Sequence, residues 1–184
     1  FIKELTNEGD VVLDPMMGSC TTLIEALRLK RIAYGCDIDP LSILIAKAKL
    51  SSIEVGEVYQ AGKQVITKAF KNFTDNKPKI ERDILKFFDY KTLSFIDYWF
   101  NKETQLELFT LIQQINKLED EQINNFLRMI LSSIVITKSG GVSLATDLAH
   151  TRPHIAKDKS PTSAFVEFNK KLSSILKNYI PLES

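Results

Sequence analysis

Two short segments near the amino end carry the residue types best suited to binding a small charged ligand. Residues 14–22 read Asp-Pro-Met-Met-Gly-Ser-Cys-Thr-Thr, and residues 34–40 read Tyr-Gly-Cys-Asp-Ile-Asp-Pro. Gly18 can adopt a positive φ and lets a ligand approach the backbone closely. Asp14 can accept hydrogen bonds from a cationic amine. Asp37 can accept both hydroxyls of a ribose, as an acidic residue does in dinucleotide-binding folds.

The flanking sequence predicts how these groups are held. Residues 11–13 and 32–36 are short apolar runs typical of buried strands, and residues 21–30 and 41–50 have apolar side chains at helical spacing. The order strand, helix, strand, helix predicts two parallel strands with a right-handed crossover. Both candidate segments then lie at the carboxyl ends of the strands, where open α/β sheets bind ligands.

The starts of both helices carry capping signals. We expect Ser19 or Thr21 to cap the first helix, and Asp39 to cap the second with Pro40 at its first position. The first helix would present free N–H groups and the positive end of its dipole to a carboxylate or phosphate. Ile38 is placed to cover one face of an adenine ring.

Two other ligand loops fit the first segment less well. A phosphate loop of the P-loop type needs a Gly-Lys-Ser/Thr ending, and no Lys follows Gly18. The dinucleotide fingerprint needs three spaced glycines, and this segment has one. A plain strand-to-helix turn explains one Gly and one Ser, but not the whole set together with an acidic residue at the end of the second strand.

Residues 14–22 resemble the S-adenosylmethionine-binding motif of the amino-group DNA methyltransferases, Asp-Pro-Phe-x-Gly-Ser-Gly-Thr-Thr, and residues 34–40 are similar to the family's second cofactor motif. Those enzymes make N6-methyladenine or N4-methylcytosine. The resemblance, specific over residues 10–50, implies S-adenosyl-L-methionine as cofactor, DNA as partner and a Rossmann-like fold. The cofactor-binding residues that it implies are Asp14, Pro15, Met16, Gly18, Ser19, Thr21, Thr22, Asp37 and Ile38.

The chain departs from the family pattern in two places. Cys20 replaces the second glycine, so its side chain would crowd the methionine moiety or strain the loop if φ is positive. We therefore hypothesise a weakened cofactor affinity. The family's catalytic Asp/Asn/Ser-Pro-Pro-aromatic motif is missing, because the chain has no Pro-Pro. We assign no catalytic residue and expect this chain alone not to methylate DNA.

The remainder of the sequence predicts helices. An amphipathic helix at 56–73 is followed by a predicted loop at 74–78 and an aromatic-rich stretch at 84–100, for which helix packing is favoured over base stacking. Further helices are expected at 102–117, capped by Asn101, and at 121–138, capped by Asp120 and ended by Gly140-Gly141. A last helix is expected to begin at Ser160-Pro161 and to continue to about Tyr179.

Residues 150–159 contain other side chains that could bind a metal or a phosphate. His150 and His154 have a spacing that could bind a metal on a helix, but the intervening proline disfavours a helix, so no metal site is predicted. Arg152, Lys157 and Lys159 could contact DNA phosphates, although an ordinary solvated loop explains them as well.

Composition sets broader limits. The net charge of +1 is unlike a strongly basic nucleic-acid-binding domain, although residues 60–100 and 138–184 are locally positive. Two cysteines cannot build a disulfide framework, and no apolar run is long enough to span a bilayer. We expect a cytoplasmic protein without a membrane partner.

The predicted fold is an incomplete α/β Rossmann-like methyltransferase fold, with few strands and a large helical insertion. We divide it into a cofactor-binding segment (1–55), a helical insertion (56–139), and a loop and helix leading toward the catalytic part (140–184). The first residue is Phe1 and strands are few, so we expect a piece of a larger enzyme. There are two alternatives. One is a fragment of an RNA or tRNA methyltransferase, and the other is a non-catalytic cofactor-binding or DNA-specificity subunit that works with a catalytic or restriction partner chain.

Overall fold

A computed structural model describes residues 1–135, 141–145 and 160–179. The first part of the chain alternates helices with two strands: α1 Ile2–Leu5, β1 Val11–Asp14, α2 Thr21–Arg28, β2 Ile32–Gly35 and α3 Pro40–Leu50. The rest of the described chain is helical: α4 Val55–Phe87, α5 Tyr90–Trp99, α6 Lys102–Ile115, α7 Glu121–Val135 and α8 Ala164–Lys177. The prediction of a mostly helical chain with a small parallel sheet is confirmed.

The two strands pair in parallel, with Val11 opposite Ile32 and Asp14 opposite Gly35. One face of this sheet is covered by a small apolar cluster whose buried members are Met17, Cys20, Leu23 and Ala46. Packing is close there, since a Cβ added at Gly35 would lie 2.7 Å from the sulfur of Met17. The loop after β1 is therefore pressed onto the sheet.

The opposite face of the sheet is open to solvent. Its apolar side chains Val11, Leu13, Ile32 and Tyr34 are each at least 50% exposed. Parallel sheets in α/β proteins are normally covered on both faces. Within the described residues, no element covers this face.

The main core lies among α4, α6, α7 and α8. Its fully buried side chains include Val58, Leu111, Ile115, Phe126, Leu127, Ile130, Phe168 and Leu172. Helices α4 and α8 approach closely at Gly62, where an added Cβ would lie 2.5 Å from Leu172 Cδ2. Helix α3 packs chiefly on α7 and so joins the strand-containing part to the helical core.

The predicted loop at 74–78 is wrong, because α4 continues through it. The backbone departs from helical geometry only at Asn76, with φ −132° and ψ 24°, and Pro78 lies inside the helix. A proline removes a helical hydrogen bond and produces a kink there. The helix resumes because Ile80 and Ile84 continue its buried side and pack with Phe109.

Three of the predicted helix caps are confirmed. The side chain of Asp39 accepts a hydrogen bond from the Leu41 amide, Asn101 accepts one from Thr104, and Asp120 accepts one from Ile123.

The predicted cap of α2 and the predicted start of the last helix are wrong, although α2 begins at Thr21 as predicted. Cys20, not Ser19 or Thr21, occupies the N-cap position of α2, and its side chain makes no capping bond. The last helix begins at Ala164 instead of Ser160-Pro161, because its first amide donates to the buried carboxylate of Glu107. Gly140, predicted to end α7, lies outside the described residues.

The aromatic-rich stretch packs only in part. Phe88 lies in a cluster with Phe109. Phe87 is exposed in part but keeps an edge-on ring contact with Phe109 at 5.9 Å. Three others, Tyr90, Phe95 and Tyr98, are more than half exposed, so the helix-packing interpretation is wrong for them. No helix among the described residues is long and apolar enough to cross a bilayer.

Candidate functional site

The two candidate loops meet at the carboxyl edge of the sheet. The amide of Gly18 donates to Asp37 Oδ2 at 2.8 Å, although nineteen positions separate the two residues. The amide of Asp39 donates to the other oxygen, Oδ1, at 2.9 Å. The Met17 amide also donates to the carbonyl of Cys36 at 3.1 Å. The loops after β1 and β2 are thus connected directly.

Asp37 is held as an ionised, solvent-facing carboxylate. Hydrogen bonds from the Asp39 amide, and next from the Gly18 amide, lower the pKa of Asp37 below its ordinary value, with a smaller contribution from the hydroxyl of Ser42. At neutral pH the group is therefore an acceptor only. A half-buried carboxylate beside two ordered loops is suited to accepting hydroxyl or amine donors.

Asp14 ends β1, where the sequence placed it. Its Oδ1 accepts the amide of Met16 at 3.1 Å, and its carbonyl accepts the amide of Cys36. The side chain of Met16 is 83% exposed and that of Ile38 is 100% exposed. The same edge of the sheet therefore presents a carboxylate and two uncovered apolar side chains.

Two residues of the loop after β1, one on each side of Ser19, have left-handed backbone conformations. Gly18 has φ +47° and Cys20 has φ +71°. A left-handed conformation is common for glycine but unfavourable for residues with a Cβ. The condition for strain at Cys20 is thus met. The side chain of Cys20 is fully buried in the cluster under the sheet. Its Sγ is therefore not placed to crowd a ligand, and backbone strain is the remaining part of the hypothesis.

The environment of Cys20 makes it a poor nucleophile. Burial raises the pKa of its thiol, the carboxylate of Asp14 adds to the rise, and the ammonium group of Lys49 opposes it. A reactive cysteine needs a stabilised thiolate and access to its substrate. The role of Cys20 is therefore packing.

Two residues that support the site were not predicted from the sequence. Lys49, on α3, donates to the carbonyl of Ser19 at 2.8 Å and so connects α3 to the loop after β1. Met17 is buried against the sheet. Neither has a local motif: the lysine lies in the last turn of a helix, and the methionine lies beside an equally apolar but exposed Met16. Only the packing distinguishes them.

The other predicted residues lie where the loop enters α2. Ser19 Oγ and Thr21 Oγ1 are 3.2 Å apart, and Thr22 follows in the first helical turn. First-turn amides have no acceptor within their own helix, so they are available to an anion. Pro15 lies at the base of the loop, and its carbonyl accepts from Cys36 Sγ at 3.6 Å.

Metal-ligating side chains do not cluster in the part of the chain that the structure describes: no group of three or more His, Cys, Asp or Glu residues could hold an ion there. His150 and His154 lie outside that part. So do Arg152, Lys157 and Lys159, the candidate phosphate contacts.

Comparison with known proteins finds a matching family for the first part of the chain. Residues 1–48, which contain both loops, match a family described as DNA methylase. The predicted resemblance to amino-group DNA methyltransferases is confirmed for this part of the chain.

Individual relatives agree. The chain is 34% identical over 76 residues to the type II methyltransferase M.MjaII of Methanocaldococcus jannaschii, covering 41% of this chain and 14% of that protein. It is 29% identical over 133 residues to the type II methyltransferase M.MvaI of Kocuria varians, covering 72% and 28%. It is 35% identical over 82 residues to the type II methyltransferase M.BglI of Bacillus subtilis, covering 45% and 23%.

The matched segments span from about one-seventh to just over one-quarter of these relatives. No solved structure matches the chain.

Proposed function

We propose that the chain binds S-adenosyl-L-methionine across the loops after β1 and β2, as the cofactor-binding part of an enzyme that methylates an exocyclic amino group of adenine or cytosine in DNA. The observation that carries the proposal is the 2.8 Å contact between Gly18 and Asp37. It joins the two cofactor-like motifs into one edge within the segment that matches DNA methylases. The proposal includes a cytoplasmic location, supported by the likeness to type II methyltransferases of Methanocaldococcus jannaschii, Kocuria varians and Bacillus subtilis, whose DNA lies in that compartment.

The chemistry of the edge fits this cofactor. Each oxygen of Asp37 accepts one backbone amide, and a carboxylate oxygen can accept two hydrogen bonds. Asp37 can therefore accept the ribose hydroxyls without releasing the loop. The fully exposed Ile38 can cover the adenine ring. Pro15 and Met16 would line the same loop.

The charged end of the cofactor suits the start of α2. Asp14 would accept from its ammonium group, while the first-turn amides and hydroxyls of Ser19, Thr21 and Thr22 would face its carboxylate. Gly18 leaves room for this approach, because an added Cβ would meet no atom within 4 Å. When bound, the cofactor supplies an electrophilic methyl group.

The catalytic step needs groups that this sequence does not contain. The Pro-Pro-aromatic motif is absent, so no residue here is proposed to activate the target amine. We further propose that β1 and β2 belong to a larger Rossmann-like sheet, with the cofactor-binding segment at 1–55, the helical insertion at 56–139 and the remainder at 140–184.

Calorimetry with S-adenosylmethionine tests the proposal. The native chain should bind, and Asp37→Ala should weaken binding by about 1–3 kcal/mol, the scale of a hydrogen bond to a charged group. The same titrations with a 2′,3′-dideoxy analogue separate ribose binding from loop bridging. If Asp37 accepts the hydroxyls, the variant should lose much less affinity for the analogue than for the cofactor.

Asp89→Ala is the matched control. Asp89 is also an aspartate whose pKa is lowered by a backbone amide, and it caps α5 instead of bridging the loops. It should leave cofactor affinity unchanged. Absence of binding by the folded native chain would overturn the proposed function, and an equal loss for both ligands would remove Asp37 from the ribose role.

The open face of the sheet favours a second candidate. Val11, Leu13, Ile32 and Tyr34 form an exposed apolar surface that a partner polypeptide could cover. The chain would then be a cofactor-binding subunit whose partner carries the catalytic motif. Both candidates expect the 184-residue chain to transfer no labelled methyl group to DNA by itself, and detectable transfer would contradict both.

A further inference from the structure

A groove runs between the strand-containing part and the helical core. It has a volume of about 710 Å³, and its walls come from α2 and α3 on one side and from α7 and α8 on the other. Ser19 lines it, so the groove reaches the loop proposed to bind the cofactor. Its apolar lining consists mainly of Ile24, Leu41, Ile45, Phe126, Met129 and Ile175.

The charges along this groove have one sign. Arg28, Lys49 and Lys171 line it, and no aspartate or glutamate among the described residues does. Arg28 extends from α2 and forms an ion pair at 3.0 Å with Glu25, which does not line the groove, so the charge of Arg28 is partly balanced from outside. Lys49 lines the same side from α3. Lys171 extends from α8 on the opposite wall. A groove lined with cations on both walls attracts a polyanion.

A neighbouring groove shows that this pattern is not general. The groove lined by Met17 and Gly35 also contains Lys47 and Glu121, and these two residues form an ion pair at 3.4 Å. Its positive charge is therefore locally balanced. Hydroxyl and amide side chains of Ser132, Ser174 and Asn178 supplement the cations of the larger groove.

We propose that the larger groove binds a single strand of the target DNA, with its phosphates near Arg28, Lys49 and Lys171 and its sugars and bases over the apolar lining. This rests on the proposed function, because it is the DNA methylase role that brings DNA to the chain. An enzyme that modifies a base either acts on single-stranded substrate or turns the target nucleotide out of the duplex, so at least one unpaired nucleotide lies beside the cofactor. Positive grooves with apolar contacts bind such strands without sequence preference.

Fluorescence anisotropy with a labelled single strand of about 12 nucleotides tests the groove. Lys171→Gln should weaken binding about threefold, and Arg28→Gln with Lys171→Gln about tenfold. Each removed phosphate contact should also lower the slope of log affinity against log salt by about 0.7. Lys49 is left intact because it supports the cofactor loop.

Lys170→Gln is the matched control. Lys170 neighbours Lys171 on α8 but pairs with Glu167 at 3.0 Å and does not line the groove. Both substitutions remove one charge from the same helix, and Lys170→Gln also leaves Glu167 without its ion-pair partner, so a larger effect of Lys171→Gln indicates a local contact. Lys171→Arg should restore binding, because it keeps the cation.

The outcomes separate the two proposals. Equal effects of Lys170→Gln and Lys171→Gln on strand binding would overturn the proposal that the groove binds DNA. The same would follow if a chain that binds S-adenosylmethionine did not bind the strand. A chain that fails to bind the cofactor would instead overturn the proposed function. Retention of the native melting temperature in each variant keeps a folding defect from being read as a lost contact.

Discussion

The amide of Gly18 and the carboxylate of Asp37 form a 2.8 Å hydrogen bond between loops that follow different strands. The first loop is therefore held by the second, so a change in one loop is expected to affect the other. Asp37 supports the loop through this contact, and the proposed function would give it a second role as acceptor of the ribose hydroxyls. Changes in the first loop separate these two functions more cleanly than changes at Asp37.

Gly18→Ala should reduce cofactor affinity more than it reduces stability. The left-handed φ of +47° costs a residue with a Cβ about 1–2 kcal/mol, and the added methyl group meets no protein atom within 4 Å. Where Gly18 lies against the ligand, the same methyl group would block close approach. Calorimetry and chemical unfolding measure the two effects.

Gly9→Ala is the control for that change. Gly9 also has a positive φ, +84°, and open space around an added Cβ, but it lies in the turn before β1. It should lose similar stability and no cofactor affinity. If Gly9→Ala and Gly18→Ala reduce affinity equally, Gly18 has no special contact with the ligand.

Cys20 should be silent toward thiol reagents in the native chain, whereas Cys36 should react. Cys20 is buried with a raised thiol pKa, and Cys36 is exposed. Titration with a chromogenic disulfide should count about one thiol per folded chain and both after denaturation. Two fast-reacting thiols in the folded chain would show that Cys20 is accessible.

Substitutions at Cys20 separate backbone strain from packing. Cys20→Gly relieves the left-handed φ of +71° but empties a buried position, so the free energy of unfolding should change by less than about 1 kcal/mol. Cys20→Val places a β-branched side chain in the same conformation and should cost about 2 kcal/mol or more. If Cys20→Gly binds S-adenosylmethionine no more tightly than the native chain, strain at this position does not weaken cofactor affinity.

The sequence predicted the two strands and the cap of α3 better than it predicted the later helices, for physical reasons. Asp39 and Pro40 start a helix through contacts within a few residues, so local rules sufficed. The start of α8 depends on Glu107, which lies 57 residues away. The continuation of α4 past Pro78 depends on the packing of Ile80 and Ile84. Contacts made by tertiary structure override local signals and have no signature within a short window.

Glu107 should make the folded chain more stable as the pH falls toward the acidic range. Burial raises its pKa above the ordinary value, with Glu103 adding to the rise, while the Ala164 amide, Ser163 and Lys77 oppose it. The folded state thus binds the proton more tightly than the unfolded state. This contribution is greatest below the unfolded pKa and is lost as pH rises through the folded pKa.

Glu107→Gln isolates that contribution. The amide oxygen can still accept from Ala164, and the desolvated charge is gone, so stability at neutral pH should equal or exceed that of the native chain. Glu107→Ala leaves the Ala164 amide without its acceptor and should cost about 1–3 kcal/mol. Urea unfolding at several pH values measures both. A Gln variant that is less stable than the native chain at neutral pH, by a margin that stays constant with pH, would contradict the raised pKa.

Leu13→Thr on the open face of the sheet should leave the stability of the isolated chain almost unchanged, because Leu13 is already 64% exposed. Leu23→Thr on the covered face is the comparison. Leu23 is 5% exposed beneath the same sheet, so its replacement should cost about 2–4 kcal/mol. If a partner polypeptide covers the open face, Leu13→Thr should instead weaken its association while cofactor binding stays intact. Chemical unfolding of the isolated chain measures the first pair of effects. A cost at Leu13 equal to that at Leu23 would show that the open face is already covered within the chain.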